Sequence, residues 1–266
     1  MTSFQTEHLA ILRPDSIDTV DRAVAVEAPV AIEINGFGYA VMMMTPIALH
    51  AFATGFMLTE RLADTVNDLI AIEPFETDRG WIIRVTLAEH CADRIHDRVR
   101  HRSSDTGCGL CGISGLEQVV RPIAGPPQLS RIERGALFAA LDNIREHQPL
   151  NRATGAVHAA AFCNRDGAIV TAFEDVGRHN ALDKLIGTIA AGYADVADGF
   201  LLVTSRVSFE MVDKTLIARA PMLVGISAPT TMAIEHARTH GLTLAALARS
   251  DAILIANDPG KRFAKP

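Results

Sequence analysis

The sequence is short of cysteine, of positive charge and of long apolar runs, and each shortage removes a class of protein. Its four cysteines, Cys91, Cys108, Cys111 and Cys163, are too few for a disulfide scaffold in 266 residues. Their chemistry is expected to be catalytic, metal-binding or redox-linked, with the thiols kept reduced. The 25 lysines and arginines against 31 acids leave a formal charge of −6. No broad basic field is available to grip phosphate backbones, so nucleic acid is not an expected partner. The most apolar region, Val41 to Leu58, is interrupted by Thr45, Pro46, His50, Thr54 and Gly55. It falls short of the roughly 20 unbroken apolar residues of a membrane span. The N-terminus lacks a basic start followed by an apolar stretch and does not read as a signal peptide, so the expected location is the cytoplasm.

What is present is enough for a core: 48% of the residues are apolar. Residues 1–25 are polar without strong periodicity, and no element is assigned to them. From 24 to 44 apolar and polar residues alternate about Asn35-Gly36, a pair that accepts the positive φ angles of a tight turn, which predicts a β-hairpin near 30–43. Thr45 before Pro46 resembles an N-cap with proline at the first helical position, and the apolar spacing from Ile47 to Leu62 predicts an amphipathic helix. A second hairpin is expected over Leu69–Phe75 and Trp81–Leu87. The stretch 98–115 has neither helical nor strand periodicity and reads as a loop holding Cys108 and Cys111. A helix is expected from Arg131 to about His147.

Beyond Asn151 five apolar strands are expected, at 157–163, 168–173, 199–205, 222–227 and 251–257. Helical patterns fall at about 179–194, 208–220 and 231–240, the last closed by Gly241. The predicted fold is α/β, or α+β over the whole chain, with a largely parallel sheet in the second part. We divide it into an N-terminal β-rich domain, 1–125, with the CxxC loop at about 100–115, and a C-terminal α/β domain, 126–266.

Three stretches carry chemistry. Cys108-Gly109-Leu110-Cys111, flanked by Gly107 and Gly112, places two thiols within one turn of backbone that glycine leaves mobile. Such a pair can exchange sulfur or electrons. A closed zinc site needs four ligands, and neither a second CxxC nor a His-x-x-x-His pair is present; zinc would have to draw on Cys91 or His90, and no metal ligand is assigned. FEDVGRHNALDK, 173–184, lies at a strand-to-helix connection, where open α/β sheets bind ligands. It reads equally as helix-capping Glu174 and Asp175 with solvated Arg178 and Lys184. TSRVSFEMVDK, 204–214, offers Ser205, Arg206 and Ser208 to an anion, or else only an N-cap at Ser208 and an exposed Lys214. His158 and His179, taken singly, read as structural.

Together with TGCGLCG, 106–112, and GISAPTTMAIEHA, 225–237, these two stretches resemble the FdhD family of sulfur carriers required for formate dehydrogenase activity, from Pro46 onward. The resemblance implies a cytidine-deaminase-like C-terminal domain. It implies an accessory protein of sulfurtransferase type, and not an enzyme that turns over a free metabolite. A cysteine desulfurase would pass sulfur to a persulfide on Cys108, with Cys111 assisting. The sulfur would go to the molybdenum cofactor, bis(molybdopterin guanine dinucleotide), bound transiently before its insertion into formate dehydrogenase. A guanine nucleotide would serve as surrogate ligand. The family's cofactor segment maps to Ile253, Leu254, Ile255, Ala256, Asn257 and Asp258, and a homodimer is implied. Set against this are a thiol-disulfide oxidoreductase using both cysteines and a metal- or nucleotide-binding chaperone in which they are structural.

Overall fold

The computed structural model describes residues 3–99, 125 and 127–263. Cys108 and Cys111 therefore lie outside the described residues. The N-terminal part holds two antiparallel pairs, β1 (Phe4–Leu12) with β2 (Ile17–Ala25) and β3 (Ala28–Ile34) with β4 (Phe37–Met44). The expected turn between β3 and β4 is there: Asn35 and Gly36 take φ of 48° and 84°, the left-handed pair a two-residue hairpin needs. β5 (Leu69–Thr77) and β6 (Gly80–Leu87) form the second expected hairpin, and a parallel β3–β6 contact joins the two into a sheet of order β4-β3-β6-β5. Alternation along β3 and β6 turns Val30, Ile32, Ile34, Ile83, Val85 and Leu87 into a core shared with α1 (Leu49–Thr59). β1 and β2 are the elements the sequence did not announce. Phe4, Leu9, Leu12, Ile17, Val20 and Val24 along this ribbon all stay exposed, so it shows no buried face to give a clean apolar period.

The α1 boundary also differs from expectation. Ala48, not Thr45, stands at the N-cap, in a left-handed conformation without a side-chain cap. Thr45 is fully buried and serves another element: its Oγ1 accepts from the Val176 amide and its carbonyl from Lys184 Nζ.

After α2 (Ala92–Val99), α3 (Arg134–Asn143) and α4 (Pro149–Thr154) lead into a six-stranded sheet of order β12-β11-β10-β9-β7-β8. Its strands are β7 (His158–Asn164), β8 (Ile169–Asp175), β9 (Gly199–Val203), β10 (Met222–Gly225), β11 (Thr243–Ala246) and β12 (Leu254–Asn257). The pairings give β8, β9, β10 and β11 one direction and β7 and β12 the other. The sheet is therefore mixed and not largely parallel as expected: only β9–β10 and β10–β11 are parallel neighbours, while β7–β8, β7–β9 and β11–β12 are antiparallel. β11 is a strand not foreseen, four residues directly after a helix cap and too short to show a period.

α5 (Arg178–Thr188), α6 (Phe209–Ile217) and α7 (Thr231–His240) cover one face of this sheet against Ala160, Phe162, Leu201, Val203, Leu223 and Leu244. The alternate residues Ala161, Cys163, Phe200, Leu202, Met222 and Val224 meet α3 on the other face. Burial on both faces explains why these strands read as unbroken apolar runs. Gly241 ends α7 at φ 71°, as expected.

The two halves are tied where α1 crosses α5. A Cβ on Gly55 would lie 1.8 Å from the Asp183 carbonyl oxygen, and one on Gly187 would lie 1.9 Å from that of Ala51, so only glycine permits this approach. Two buried ion pairs flank the crossing. Lys214 Nζ lies 2.8 Å from both Asp183 carboxylate oxygens and from Thr59 Oγ1. Lys184 Nζ meets Asp175 Oδ2 at 2.5 Å and the Thr45 carbonyl at 2.9 Å. One of the two readings of each motif put these lysines in solvent, and neither is there: Lys184 is 0% exposed and Lys214 7%. Burial pulls the Lys184 amine below its usual range, with Asp175 working against the shift. At Lys214 burial acts the same way but is outweighed by Asp183 and Glu60, so that amine is held charged.

Candidate functional site

β8, β9, β10 and β11 share one direction, so their carboxyl ends and the amino ends of α5, α6 and α7 come together along one edge of the sheet. In open α/β sheets this edge, with its outward amides and positive helix ends, is where ligands are held. The two motif stretches 173–184 and 204–214 meet there. β7 runs the other way, and its first residue, His158, pairs with Asp175 at the same edge. Burial, followed by the charges of Arg178 and Arg206, pushes the His158 pKa below its usual range.

Each acid and base has a definable task. Glu174 is buried and accepts from the Leu150 and Asn151 amides at 2.8 Å, capping the start of α4 and not of α5. Burial raises its pKa, while those two amides and Arg152 pull the other way. Asp175 accepts from the Gly177 amide, Asn180 Nδ2 and Lys184 Nζ, which sets the turn into α5. The reading of both acids as caps of the helix that follows does not hold: Glu174 caps α4, Asp175 bonds the Gly177 amide at an α5 start that has no side-chain cap bond, and Lys184 is locked to Asp175 and is not solvated.

Beside these satisfied groups lies a set that is not satisfied. Among the described residues, five buried side-chain polar atoms have no hydrogen-bond partner: Arg178 Nε, His179 Nε2, Ser208 Oγ, Glu210 Oε1 and Asp258 Oδ1. Four of them belong to the first residues of α5 and α6. His179 Nε2 lies 3.0 Å from Glu210 Oε2, as an ion pair without hydrogen-bond alignment. Ser208 holds the N-cap position of α6, as expected, yet its hydroxyl makes no capping bond. Arg206 is exposed, and no ion pair ties it to a described residue. The set mixes signs, with the Glu210 carboxylate paired to His179, so an anion such as a phosphate group would be met in this cradle by Arg178, Arg206, the Ser208 hydroxyl and the two helix starts.

The segment 253–258 runs across the sheet. Leu254 pairs with Ala246 at the carboxyl edge, Ile255 pairs with Ala245, and Asn257 reaches Leu244 at the opposite edge. Only Ile253 and Leu254 stand at the cradle's edge, while Asn257 and Asp258 are carried away from it. Asn257 Nδ2 donates to the Ala237 and Leu242 carbonyls, closing the end of α7, and Asp258 Oδ2 accepts from the Phe263 amide. β12 is an edge strand, so one side of its backbone faces away from the sheet. Of the cysteines, Cys91 and Cys163 are free and buried, and burial pushes the Cys163 thiol up to about 12, which removes it as a nucleophile at neutral pH.

Comparison with known proteins assigns this architecture. The model of the FdhD/NarQ family matches residues 25–262. The chain belongs to the FdhD/NarQ family. It is 42% identical over 236 residues to a sulfur carrier protein FdhD from Variovorax paradoxus, covering 89% of this chain and 85% of that one. It is 43% identical over 244 residues to the namesake from Agrobacterium fabrum, covering 90% and 89%. The Xanthomonas axonopodis pv. citri protein of that name is 44% identical over 246 residues, covering 91% of this chain and 86% of its own. The fold is that of a crystal structure from Desulfotalea psychrophila, provisionally described as a formate dehydrogenase accessory protein. That match has a TM-score of 0.76 at 24% identity over 98% and 99% of the two chains. The family relationship agrees with the resemblance drawn from the four motifs. The mixed α/β fold agrees as well, and no described helix is long and apolar enough to cross a membrane.

The anion cradle was legible only in part. Arg206 and Ser208 were singled out from sequence, whereas His179 was read as structural and Glu210 was passed over. The signal that links them is their shared place in the first turn after a strand, visible only once both strands are known to end at one edge.

Proposed function

We propose that the chain carries sulfur to the molybdenum cofactor used by formate dehydrogenase. The observation that supports this best is the 42–44% identity, over about nine-tenths of the chain, to proteins named sulfur carriers, in a sequence that holds the Cys108/Cys111 pair. The thiolate of Cys108 attacks the outer sulfur of a cysteine desulfurase persulfide. The donor's S–S bond breaks, its cysteine leaves as thiolate, and a persulfide forms on Cys108. Cys111 stands three residues on, as the group that assists release.

The cofactor, bis(molybdopterin guanine dinucleotide), is the substrate that receives the sulfur. The residues fit a phosphate-bearing molecule: Arg178, His179, Arg206 and Ser208 would meet its anionic oxygens at the sheet edge. The outer backbone of 253–258 is suited to a base edge. On this proposal residues 1–125 present the sulfur and 126–266 hold the cargo, in a homodimer that meets the desulfurase first and formate dehydrogenase second.

The test is intact-protein mass spectrometry after incubation with a cysteine desulfurase and cysteine. The wild type and Cys111→Ala should gain the mass of sulfur, and Cys108→Ala should not. A wild type that gains nothing, or only loses two hydrogens, overturns the carrier assignment in favour of a redox pair.

A further inference from the structure

A second constellation lies on the N-terminal sheet. Asp68 immediately precedes β5, and His90 and Cys91 close a short 3₁₀ turn, Glu89–Cys91, ahead of α2. One donor atom from each lies within 4.8 Å of the others, and Asp68 Oδ1 is 3.3 Å from His90 Nε2. The backbone arranges this. Asp68 Oδ2 accepts from the Asp64 and Thr65 amides, both at 2.9 Å, which leaves Oδ1 to face the imidazole. The Ala88 amide donates to the Asp68 carbonyl, and the Cys91 amide donates to that of Ala88, so the three positions are fixed to one another. Cys91 is fully buried in the core beneath, while the His90 side chain is 59% exposed and free to turn. The nearby cation, Arg94, is spent on both carboxylate oxygens of Asp64, at 2.9 and 2.7 Å.

We propose that Asp68 Oδ1, His90 Nε2 and Cys91 Sγ form a site for one divalent cation of the zinc class, with water as fourth ligand. A thiolate, an imidazole and a carboxylate together suit a borderline-soft ion, not calcium or magnesium. Tetrahedral zinc with its usual bond lengths holds its donors about 3.3–3.8 Å apart. The Asp68–His90 pair already meets this spacing, and rotation of the exposed imidazole closes the remainder. Binding displaces the Cys91 thiol proton to solvent. The cation would pin the start of β5 to the start of α2, the helix that precedes Cys108 in sequence.

The experiment uses the full chain carrying Cys108→Ser and Cys111→Ser, so that no metal is held by those thiols, and titrates it with cobalt(II) as a spectroscopic stand-in. We expect one equivalent bound, displaceable by zinc, with a thiolate-to-cobalt charge-transfer band that Cys91→Ser abolishes. His90→Ala changes an exposed ring, is expected to fold, and should weaken binding by about tenfold or more. Circular dichroism checks each variant; if Cys91→Ser does not fold, His90→Ala decides. Absence of the band, a band that survives Cys91→Ser, or one indifferent to His90→Ala overturns the site and leaves Asp68 and His90 as a plain ion pair.

Discussion

The seam where α1 crosses α5 and the sheet edge where α5 begins are one helix apart, yet they treat buried polar groups differently. At the seam every charge has a partner: Asp183 meets Lys214 and Thr59, and Asp175 meets Lys184 and Asn180. At the edge Arg178 Nε, Ser208 Oγ and Glu210 Oε1 have no hydrogen-bond partner, and His179 meets Glu210 only as an ion pair. Leaving such an atom unpaired costs about 1–3 kcal/mol, so the edge is held together less well than the seam, and on the proposed function its free atoms are the ones a ligand would meet. On that function the seam serves stability and the edge ligand binding, so variants at the two should behave oppositely.

The largest effect is expected at the seam's closest approach. In Gly55→Ala the new methyl would sit 1.8 Å from a backbone oxygen of α5, and no side-chain rotation relieves a clash with backbone. Overpacking ordinarily costs about 1–3 kcal/mol, and here the cost should exceed that range because two helices must separate. At roughly 2–4 °C per kcal/mol in a domain of this size, thermal unfolding should show a melting point lower by about 10 °C or more, or no soluble protein. A drop of only a degree or two would mean that the crossing is not the tie between the halves.

Lys214→Met comes next. It leaves Asp183, with a side chain 1% exposed, facing Thr59 alone, and removing one partner of a buried pair costs about 3–5 kcal/mol. Adding Asp183→Leu should recover most of that loss, because an apolar pair of similar volume replaces a pair that was expensive to desolvate. Urea unfolding of the wild type, single and double variants gives the coupling directly. Equal losses in the single and double variants would show that the pair contributes packing and not charge compensation.

How far the sequence announced this contrast depends on the range of the contacts. The β3–β4 turn at Asn35-Gly36 and the end of α7 at Gly241 rest on the conformation of one or two residues, and both were readable. The strands of the six-stranded sheet were readable as apolar runs bounded by turns, except β11, whose four residues follow Leu242 without a break. The burial of Lys184 and Lys214 was not readable, because besides the carboxylates of Asp175 and Asp183, 9 and 31 residues away, the groups that accept their hydrogen bonds, Thr45 and Thr59, lie 139 and 155 residues away along the chain. Thr45 before Pro46 carried a valid capping signal that tertiary contacts overrode. At the candidate site the motifs gave the residue types, and the topology supplied the fact that two separate stretches share one edge. Cys108 and Cys111, the residues the sequence marked most clearly, lie outside the described residues.

The smallest effect on stability is expected at the edge, and it separates the two regions most cleanly. Arg206 is exposed, so Arg206→Ala should change unfolding free energy by no more than about 0.5 kcal/mol. Ser208→Ala removes a hydroxyl that makes no capping bond, so it should not show the loss of about 1 kcal/mol that follows removal of a working N-cap. Both should nevertheless impair binding of guanosine diphosphate, used as a phosphate-bearing probe. A lost charge-assisted hydrogen bond of about 1.5–3 kcal/mol makes Arg206→Ala weaker by roughly tenfold to a hundredfold, with a smaller loss for Ser208→Ala. Isothermal titration and thermal unfolding of the same samples give the two numbers side by side. Stability lost with binding unchanged would turn the edge into a second seam, whereas binding lost with stability unchanged would mark its unpartnered atoms as groups waiting for a ligand.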